Sequence, residues 1–139
     1  MTEARRARAG DIDQLIRIRG AVQENRLRDP ASVTRADYDW FVGQGRIWLG
    51  EIAGEVAGFA AGDPRDGSIW ALFVDPRFEG AGLGAILLQR VCADLQADGH
   101  AVLHLSTDPG TRAARLYGRL GWEAQGLLPD GEMAFRLVL

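Results

Sequence analysis

The sequence predicts an α/β protein built on one mixed sheet, with an antiparallel meander, a β-α-β crossover and a C-terminal hairpin in that order. Apolar residues recur at helical spacing in four segments, and short runs rich in Val, Ile, Phe and Trp lie between them. Tight turns containing Gly or Pro separate the strands in the middle of the chain. The 139 residues, 47% of them hydrophobic, fit a single domain spanning residues 1–139.

The N-terminal segment is predicted to form a strand and two helices. A short strand covers residues 4–9, and Asp11 is typical of the cap of a helix that continues to about Asn25. Thr34, followed three residues later by Asp37, repeats the capping pattern and predicts a short second helix. Two nearby glycines mark the end of this second helix.

The rest of the chain alternates between strands and helices. Three strands joined by tight turns predict the antiparallel meander. The helix that follows them leads into another strand, which should lie parallel to the third strand through a right-handed crossover. The predicted elements are strands 47–52, 56–61 and 68–74, helix 82–97, strand 101–106, helix 111–120 and strands 122–126 and 132–139.

The composition excludes several classes of function. The net charge of −3 offers no basic face for a phosphate backbone, so nucleic acid is not expected as a partner. No apolar run is long enough for a membrane span or a signal peptide, so we expect a cytoplasmic protein with no membrane partner. The lone Cys92 excludes an internal disulfide and a multi-cysteine zinc cluster, its apolar neighbours predict core packing, and no metal site is expected.

A glycine-rich turn between a strand and the long apolar helix is the main functional signal. It contains Gly80, Gly82 and Gly84 at positions where a backbone can approach a ligand closely. Free N–H groups in the turn, reinforced by the helix dipole, can hold a pyrophosphate without any lysine. A turn that only closes a tight strand-to-helix connection would show the same glycines.

The same turn also fits the fingerprint of a dinucleotide-binding protein. Residues 80–85 match G-x-G-x-x-A, and Asp108 lies near the distance expected for a ribose-binding acid. A dinucleotide fold, however, places this turn after its first strand and then repeats β-α-β units. Here a meander precedes the turn, so this alternative is the less favoured one.

Two separated signatures resemble the GNAT superfamily of acyl-CoA-dependent N-acyltransferases. Residues 74–85 are similar to the family pattern V-x-P-x-x-(Q/R)-G-x-G-x-(G/A), and residues 113–122 resemble its second signature, A-x-x-L-Y-x-x-x-G-(F/W). The order of elements over residues 4–139 also fits. The resemblance implies a GNAT-like fold with splayed central parallel strands, and an N-acetyltransferase that moves the acetyl group of acetyl-CoA to a primary amine in a ternary complex.

The resemblance also implies which residues form the site. Tyr117 matches the tyrosine that donates a proton to the departing thiolate of coenzyme A in many family members. The expected acceptor pocket holds acids beside aromatic rings, which would suit a cationic amine. The residues implied to bind acetyl-CoA are Leu72, Phe73, Val74, Glu79, Gly80, Ala81, Gly82, Leu83, Gly84, Ala85, Gly110, Ala113 and Tyr117. The residues implied to bind the acceptor are Glu24, Asn25, Asp29, Tyr38 and Trp70.

The chain departs from the family pattern at two positions. Glu79 stands where Gln or Arg is usual, and a carboxylate beside a pyrophosphate is unfavourable. We therefore expect the Glu79 side chain to turn away from the phosphates, toward Arg77 or solvent, while its backbone still serves. Gly110 replaces an asparagine often found seven residues before the tyrosine, so a side-chain contact near the pantetheine arm should be missing.

The general base is not identified by the sequence. Four acids could reach a central cleft, and a chain of water molecules could serve in their place. His100 and His104 are expected to be structural, because neither has an evident partner. A non-catalytic acyl-CoA-binding module stays open as an alternative function, and pairing of exposed strands into a homodimer stays open as well. The four acids are Glu24, Glu51, Asp63 and Asp66.

Overall fold

The computed structural model of the protein describes residues 2–22 and 32–139, which form seven strands and four helices. The strands are β1 (Thr2–Arg6), β2 (Ile47–Ile52), β3 (Glu55–Asp63), β4 (Ser68–Val74), β5 (Val102–Thr107), β6 (Glu123–Leu127) and β7 (Met133–Val138). The helices are α1 (Ile12–Ala21), α2 (Arg35–Gly43), α3 (Leu83–Ala97) and α4 (Arg112–Arg119).

The strands form one sheet in the order β1-β2-β3-β4-β5-β7-β6. Strands β1 to β4 pair antiparallel in chain order. Strands β4 and β5, which α3 connects in the chain, pair parallel. The last strand, β7, lies between β5 and β6 and pairs antiparallel with both. The mixed α/β sheet, the meander and the parallel crossover strands are confirmed.

Short-range turn chemistry explains the tightest hairpin of the meander. Ala53 and Gly54, which join β2 to β3, have φ of 52° and 81°. Two central residues with positive φ are typical of the type I′ turn, whose twist matches that of the flanking strands. The turn fixes the pairing of Ile52 with Glu55 directly beside it.

The parallel pair at the centre of the sheet opens along its length. Strands β4 and β5 meet in register at Ser68 and His104, where His104 N donates to Gly67 O at 3.2 Å. Ser68 and His104 are the register pair that joins β4 to β5, whereas the opposite edge of β5 pairs with β7 along its whole length. The side of β4 that faces β5 is therefore open toward its carboxyl end, at Leu72 to Val74.

The helices cover both faces of the sheet. Leu15 and Ile18 of α1 are fully buried on one face against Phe59 of β3, and α2 packs on the same face. Leu87 and Val91 of α3 are fully buried on the other face, which α4 also covers. Because these apolar residues recur every three or four positions, each helix buries one stripe and leaves the other to solvent.

The capping prediction is confirmed at one helix and wrong at the other. Thr34 and Asp37 form a capping box at the start of α2. Asp11 stands at the cap position of α1 but makes no cap bond, because its carboxylate accepts from Arg8 N at 2.8 Å and from the Arg5 guanidinium at 2.9 and 3.0 Å. Pairing with Arg5 and Arg8, which precede Asp11 in the chain, therefore replaces the cap of α1.

Several element boundaries also differ from the prediction. The first strand ends at Arg6 and not at residue 9, because Ala9–Asp11 form a single 3-10 turn. Helix α1 ends at Ala21, since Val22 has an extended conformation with ψ of 126°. The predicted end of this helix at Asn25 lies outside the described residues.

Candidate functional site

The site lies where β4 ends and the chain turns into α3. Pro76–Phe78 form a single 3-10 turn after Asp75, and the chain then passes through Gly80 and Gly82 before α3 begins at Leu83. Gly80 and Gly82 have φ of 85° and 79°, a left-handed conformation that is costly for residues with a Cβ. The path of this turn therefore requires glycine at both positions.

The turn presents a row of unpaired donors. The six backbone N–H groups of residues 80–85 donate no hydrogen bond within the described part of the chain. The first backbone bond at this end of α3 runs from Ile86 N to Gly82 O at 3.3 Å. Unpaired N–H groups at a helix start carry partial positive charge, so this anion cradle, residues 80–85, can hold a phosphate.

A groove of about 610 Å³ opens along the anion cradle and continues between β4 and α4. Its volume falls in the usual range of small-molecule sites, roughly 300–1,000 Å³. Of the thirteen residues expected to bind acetyl-CoA, all but Ala81, Gly110 and Tyr117 line it. The lining residues are Val22, Leu72, Phe73, Val74, Pro76, Phe78, Glu79, Gly80, Gly82, Leu83, Gly84, Ala85, Arg112, Ala113, Leu116, Arg119 and Leu120.

Gly110 lies in the turn before α4 and contributes no lining surface to the groove. Its φ is 75°, and its carbonyl accepts from Arg115 Nη1 at 3.0 Å. An added Cβ would meet no atom within 4 Å. The positive φ suits glycine, but asparagine also adopts this conformation, so the turn does not explain the departure from the family pattern.

Glu79 lines the groove as half of an ion pair. Its Oε2 atom lies 3.4 Å from Arg112 Nη2, the first residue of α4. The expectation that Glu79 would turn toward Arg77 or solvent does not match this partner. Arg77 is engaged elsewhere, because its Nη2 lies 3.1 Å from Asp75 Oδ2 and its Nη1 lies 4.0 Å from Glu55 Oε1.

Asp75 anchors the start of the turn. Its side chain is 3% exposed and accepts from Arg77 N at 3.0 Å and from Arg17 Nη1 at 3.3 Å, while its own N–H donates to Ala57 O at 2.7 Å. Burial opposes ionisation of this carboxyl, but the hydrogen bonds from Arg77 and Arg17 outweigh it and hold the pKa of Asp75 below its ordinary value. A charged Asp75 therefore ties β3, α1 and the turn together.

Tyr117 is buried in α4 behind the groove lining. It is 4% exposed, and its ring packs against Trp122 and Phe135 with centroids 5.6 and 5.9 Å away. Its helix neighbours Ala113 and Leu116 line the groove, and Tyr117 does not. Burial raises the pKa of Tyr117 well above its ordinary value, so the phenol stays neutral and remains a hydrogen-bond donor.

Two of the expected acceptor residues lie together on the opposite face of the sheet. Tyr38 of α2 is buried and meets Trp70 of β4 edge-on, with ring centroids 5.3 Å apart, while Phe41 stacks on Trp70 at 4.1 Å. These rings belong to the core under α1 and α2. The other three expected acceptor residues, Glu24, Asn25 and Asp29, lie outside the described residues.

The described candidates for a general base are all engaged elsewhere. Glu51 accepts from Arg5 Nε at 2.9 Å, and Asp66 accepts from Ser68 N at 2.9 Å. The Arg65 guanidinium on Asp63 outweighs burial and holds the pKa of Asp63 below its ordinary value, which makes it a weaker base. None of the three lines the groove.

The two histidines make backbone contacts. His100 Nε2 lies 2.8 Å from Pro64 O, and His104 Nε2 lies 2.9 Å from Asp66 O. Both contacts hold the loop between β3 and β4 against the segment around β5. They support the expectation that these side chains are structural.

Three further side chains of this region were not predicted. Arg112 and Arg119 line the groove from α4, spaced seven residues apart and so on one face of the helix. Leu116 lies between the two arginines and Leu120 directly follows Arg119. The sequence alone could therefore have indicated a helix face with arginines and leucines side by side. Asp75 was not assigned a role, because its partner Arg17 lies 58 positions away in the chain.

Over residues 2–22 and 32–139, no helix is both long and apolar enough to cross a membrane. The same residues contain no cluster of three or more His, Cys, Asp or Glu side chains that could hold a metal ion. Cys92 packs against the core under α3, and burial raises the pKa of its thiol to about 11.

Two known proteins are similar in sequence. A protein from Archaeoglobus fulgidus described as an uncharacterized N-acetyltransferase is 33% identical over 104 residues, covering 63% of this chain and 69% of its own length. A mycothiol acetyltransferase from Propionibacterium freudenreichii is 28% identical over 128 residues, covering 83% of this chain. The chain spans 41% of the length of this second relative.

The chain is also similar to a solved structure in its fold, and its sequence matches a known family. A solved structure from Salmonella typhimurium, which contains its cofactor acetyl-CoA, superposes with a TM-score of 0.79 at 22% identity, covering 100% of this chain and 94% of that one. At this identity the likeness shows the shared fold. The family described as Acetyltransferase (GNAT) family matches residues 13–122, which is most of the sequence. The chain belongs to the GNAT acetyltransferase family.

Proposed function

We propose that this protein is an N-acetyltransferase that passes the acetyl group of acetyl-CoA to a primary amine of a small molecule, peptide or protein. The observation that carries the proposal is the anion cradle, whose unpaired N–H groups open into a groove along β4. Direct attack of the amine in a ternary complex is the simplest route, because donor and acceptor can approach the open strand from different sides.

The residues of the groove fit acetyl-CoA. The cradle supplies N–H donors for a pyrophosphate, and Arg112 and Arg119 place positive charge on the facing wall. Leu72, Val74 and Leu116 give an apolar surface for the pantetheine arm. The sheet has a single parallel pair, whereas a dinucleotide fold needs repeated parallel β-α-β units, which weighs against that alternative.

The chemistry divides among a few groups of the chain. A neutral amine forms the C–N bond and the C–S bond breaks, so the site must stabilise charge on the carbonyl oxygen and on the leaving sulfur. Unpaired N–H groups of β4 past Ser68 would bind the pantetheine and face that oxygen. Tyr117 would donate a hydrogen bond to the sulfur, and a water molecule would take the proton from the amine.

Release of free thiol from acetyl-CoA tests the proposal. The protein should release coenzyme A at a rate that depends on the added amine, and mass spectrometry should find the acetylated amine. The panel should contain diamines, amino acids, short peptides and their N-acetylated forms, since an acetylated amine cannot accept a second group as readily. Thiol release that never depends on an amine would contradict the proposed transfer.

Tyr117→Phe tests the leaving-group role. The change removes the hydroxyl and little volume, so turnover should fall by about 10²-fold while acetyl-CoA affinity changes little. Thiol-release kinetics and calorimetric titration of acetyl-CoA measure the two quantities. Full turnover on the best amine would assign Tyr117 to the core alone.

A non-catalytic acyl-CoA-binding protein is the second candidate. It is favoured by the burial of Tyr117 away from the groove, and by the pairing of every described base candidate with another residue. Under this candidate acetyl-CoA binds with ordinary affinity but no amine accelerates thiol release. The same thiol assay, run at saturating acetyl-CoA, separates the two functions.

A further inference from the structure

Arg119 is an exposed arginine that ends α4 and lines the groove. Its guanidinium makes no ion pair or hydrogen bond with residues 2–22 and 32–139. Arg112, the other arginine of this groove wall, differs in this respect, because its Nη2 atom lies 3.4 Å from the carboxylate of Glu79. Arg119 therefore brings an unshared positive charge to the groove.

Leu116 shows where Arg119 lies relative to the anion cradle. A Cβ added at Gly84 would lie 3.2 Å from Leu116 Cδ2, so this leucine stands directly beside the cradle. Arg112 lies four residues before Leu116 and Arg119 three residues after it, which separates the two arginines by about 10 Å along the helix axis. The side chain of Arg112 is drawn to Glu79, the residue before the cradle. Arg119 therefore lies at the other end of this wall, past the contact with the cradle.

An exposed leucine stands next to this charge. Leu120 is 43% exposed and lines the groove. It lies four residues after Leu116, so the two leucines form one apolar stripe along the groove wall. Apolar surface beside an unshared positive charge suits the end of a ligand that combines a flat ring with an anionic group.

Coenzyme A has an end of this kind. Its pyrophosphate joins the pantetheine arm to adenosine, and the ribose of that adenosine carries a further phosphate at its 3′ position. The N–H groups of the anion cradle can hold the pyrophosphate, but the 3′-phosphate is a separate anion that needs donors of its own. An arginine guanidinium suits it, because its planar fork can donate two parallel hydrogen bonds to a phosphate.

We infer that Arg119 binds the 3′-phosphate of coenzyme A and that Leu120 packs against the adenine, so that the protein distinguishes coenzyme A from dephospho-coenzyme A. This inference rests on the proposed function for its cofactor, and adds the residues that recognise the nucleotide end. Arg112 contributes charge to the wall in general, because Glu79 draws it to the opposite side of the cradle contact. The competing explanation is that Arg119 only offsets the dipole at the end of α4.

Coenzyme A and dephospho-coenzyme A test the inference, because they differ only at the 3′-phosphate. Calorimetric titration of the full protein measures the affinity for each. At low ionic strength the wild-type protein should bind coenzyme A at least about fivefold more tightly. Added salt should reduce this preference, since the site is exposed. The net charge of −3 favours the ligand with fewer phosphates, so nonspecific attraction would give the opposite order.

Substitution of Arg119, with a control on the same helix, locates the effect. Arg119→Gln should reduce the preference to less than about twofold, by weakening coenzyme A while the affinity for dephospho-coenzyme A stays the same. Arg119→Lys should keep part of the preference, because it keeps the charge and loses the fork. Arg115→Gln is the matched control, since Arg115 is also an exposed arginine of α4 but does not line the groove. This control should keep the full preference.

Two further substitutions separate the neighbouring contributions. Arg112→Gln should weaken both ligands by a similar factor and leave the preference unchanged, because the charge of Arg112 acts on groups that the two ligands share. Leu120→Ala should also weaken both ligands equally, by about threefold, since both carry adenine. A preference that disappears in Arg112→Gln and persists in Arg119→Gln would assign the 3′-phosphate to Arg112 and overturn the inference.

The remaining outcomes separate the inference from the proposed function. Equal affinity for the two ligands in the wild type overturns the inference, even if thiol release depends on an amine. A preference lost in Arg119→Gln and kept in Arg115→Gln supports the inference, and amine-independent thiol release would then contradict the proposed transfer alone. A lower melting temperature of ligand-free Arg119→Gln, with an unchanged preference, would assign Arg119 to the helix end and overturn the inference.

Discussion

At the scale of single residues, the ion pair of Glu79 and Arg112 sets the charge at the rim of the groove. The two side chains are 31% and 60% exposed, so water screens their attraction, and pairs of this kind contribute about 0–1 kcal/mol. The pair keeps the carboxylate on the α4 side of the groove. It thereby offsets a negative charge that would otherwise stand beside the anion cradle uncompensated.

Glu79→Gln is expected to change acetyl-CoA affinity by less than about threefold at moderate salt, because the pair is exposed and screened. Arg112→Gln should weaken binding more, by about threefold to tenfold, since Arg112 contributes positive charge to the groove wall. Calorimetric titration of acetyl-CoA at two salt concentrations measures both effects. A large gain in affinity for Glu79→Gln would show that the carboxylate faces the phosphates, and a large loss would show that it organises the turn.

Single residues also show what the sequence could reveal. The capping box of Thr34 and Asp37 is local, and it was predicted from spacing alone. The partner of Glu79 was not predicted, because Arg112 lies 33 positions further along the chain and reaches it only through the fold.

At the scale of elements, the turn between β4 and α3 depends on the buried Asp75. Its carboxylate joins the turn to α1 through Arg17, and its N–H joins the turn to β3 through Ala57 O. The geometry of the anion cradle therefore rests on contacts made before the first glycine. A change at Asp75 should disturb both stability and acetyl-CoA binding.

Asp75→Asn should lower the free energy of unfolding by about 1–3 kcal/mol at pH 7, because charge-assisted hydrogen bonds to Arg17 and Arg77 are lost. The folded-state pKa of Asp75 is below the unfolded value of about 3.9, so its contribution is full above that pH and is lost as the pH falls through the folded pKa. Denaturant unfolding of both proteins at pH 7 and pH 3 measures this. A difference that stays constant down to pH 3 would contradict the assignment.

Element boundaries were predicted where the deciding signal is local. The strands at residues 47–52 and 68–74 were placed correctly, since turn residues bound them on both sides. The first strand and first helix were misplaced, because Asp11 pairs with Arg5 and the chain is extended at Val22. The insertion of β7 between β5 and β6 was not predicted, because strand order depends on packing across the whole sheet.

At the scale of the whole molecule, the opening between β4 and β5 joins the two halves of the proposed site. The anion cradle and the groove lie beside α3 and α4, while Tyr38 and Trp70 lie on the face covered by α1 and α2. Under the proposed function the sheet would separate an acetyl-CoA side from an amine side, with the edge of β4 past Ser68 between them.

The composition makes this arrangement convenient to test. All 16 basic residues are arginine, and the sequence contains no lysine. No lysine side chain of the protein can therefore accept an acetyl group in competition with an added amine. Acetylation of lysine side chains of the protein therefore cannot consume acetyl-CoA in the thiol-release assay.

If residues 80–85 bind acetyl-CoA, a side chain at position 82 should obstruct the phosphates, and Gly82→Val measures that effect. Gly54→Val is the matched control, because Gly54 has φ of 81° against 79° at Gly82, and a Cβ meets no atom within 4 Å at either position. Both variants should lose similar stability, about 1–2 kcal/mol for a side chain at positive φ. The readouts are the rise in melting temperature with acetyl-CoA and the calorimetric affinity, with NAD as the comparison ligand.

Acetyl-CoA, and not NAD, should raise the melting temperature of the wild type and of Gly54→Val. Gly82→Val should remain folded and bind acetyl-CoA more than tenfold more weakly, which corresponds to about 1.4 kcal/mol. A folded Gly82→Val protein with wild-type affinity for acetyl-CoA would place the binding site elsewhere and contradict the account.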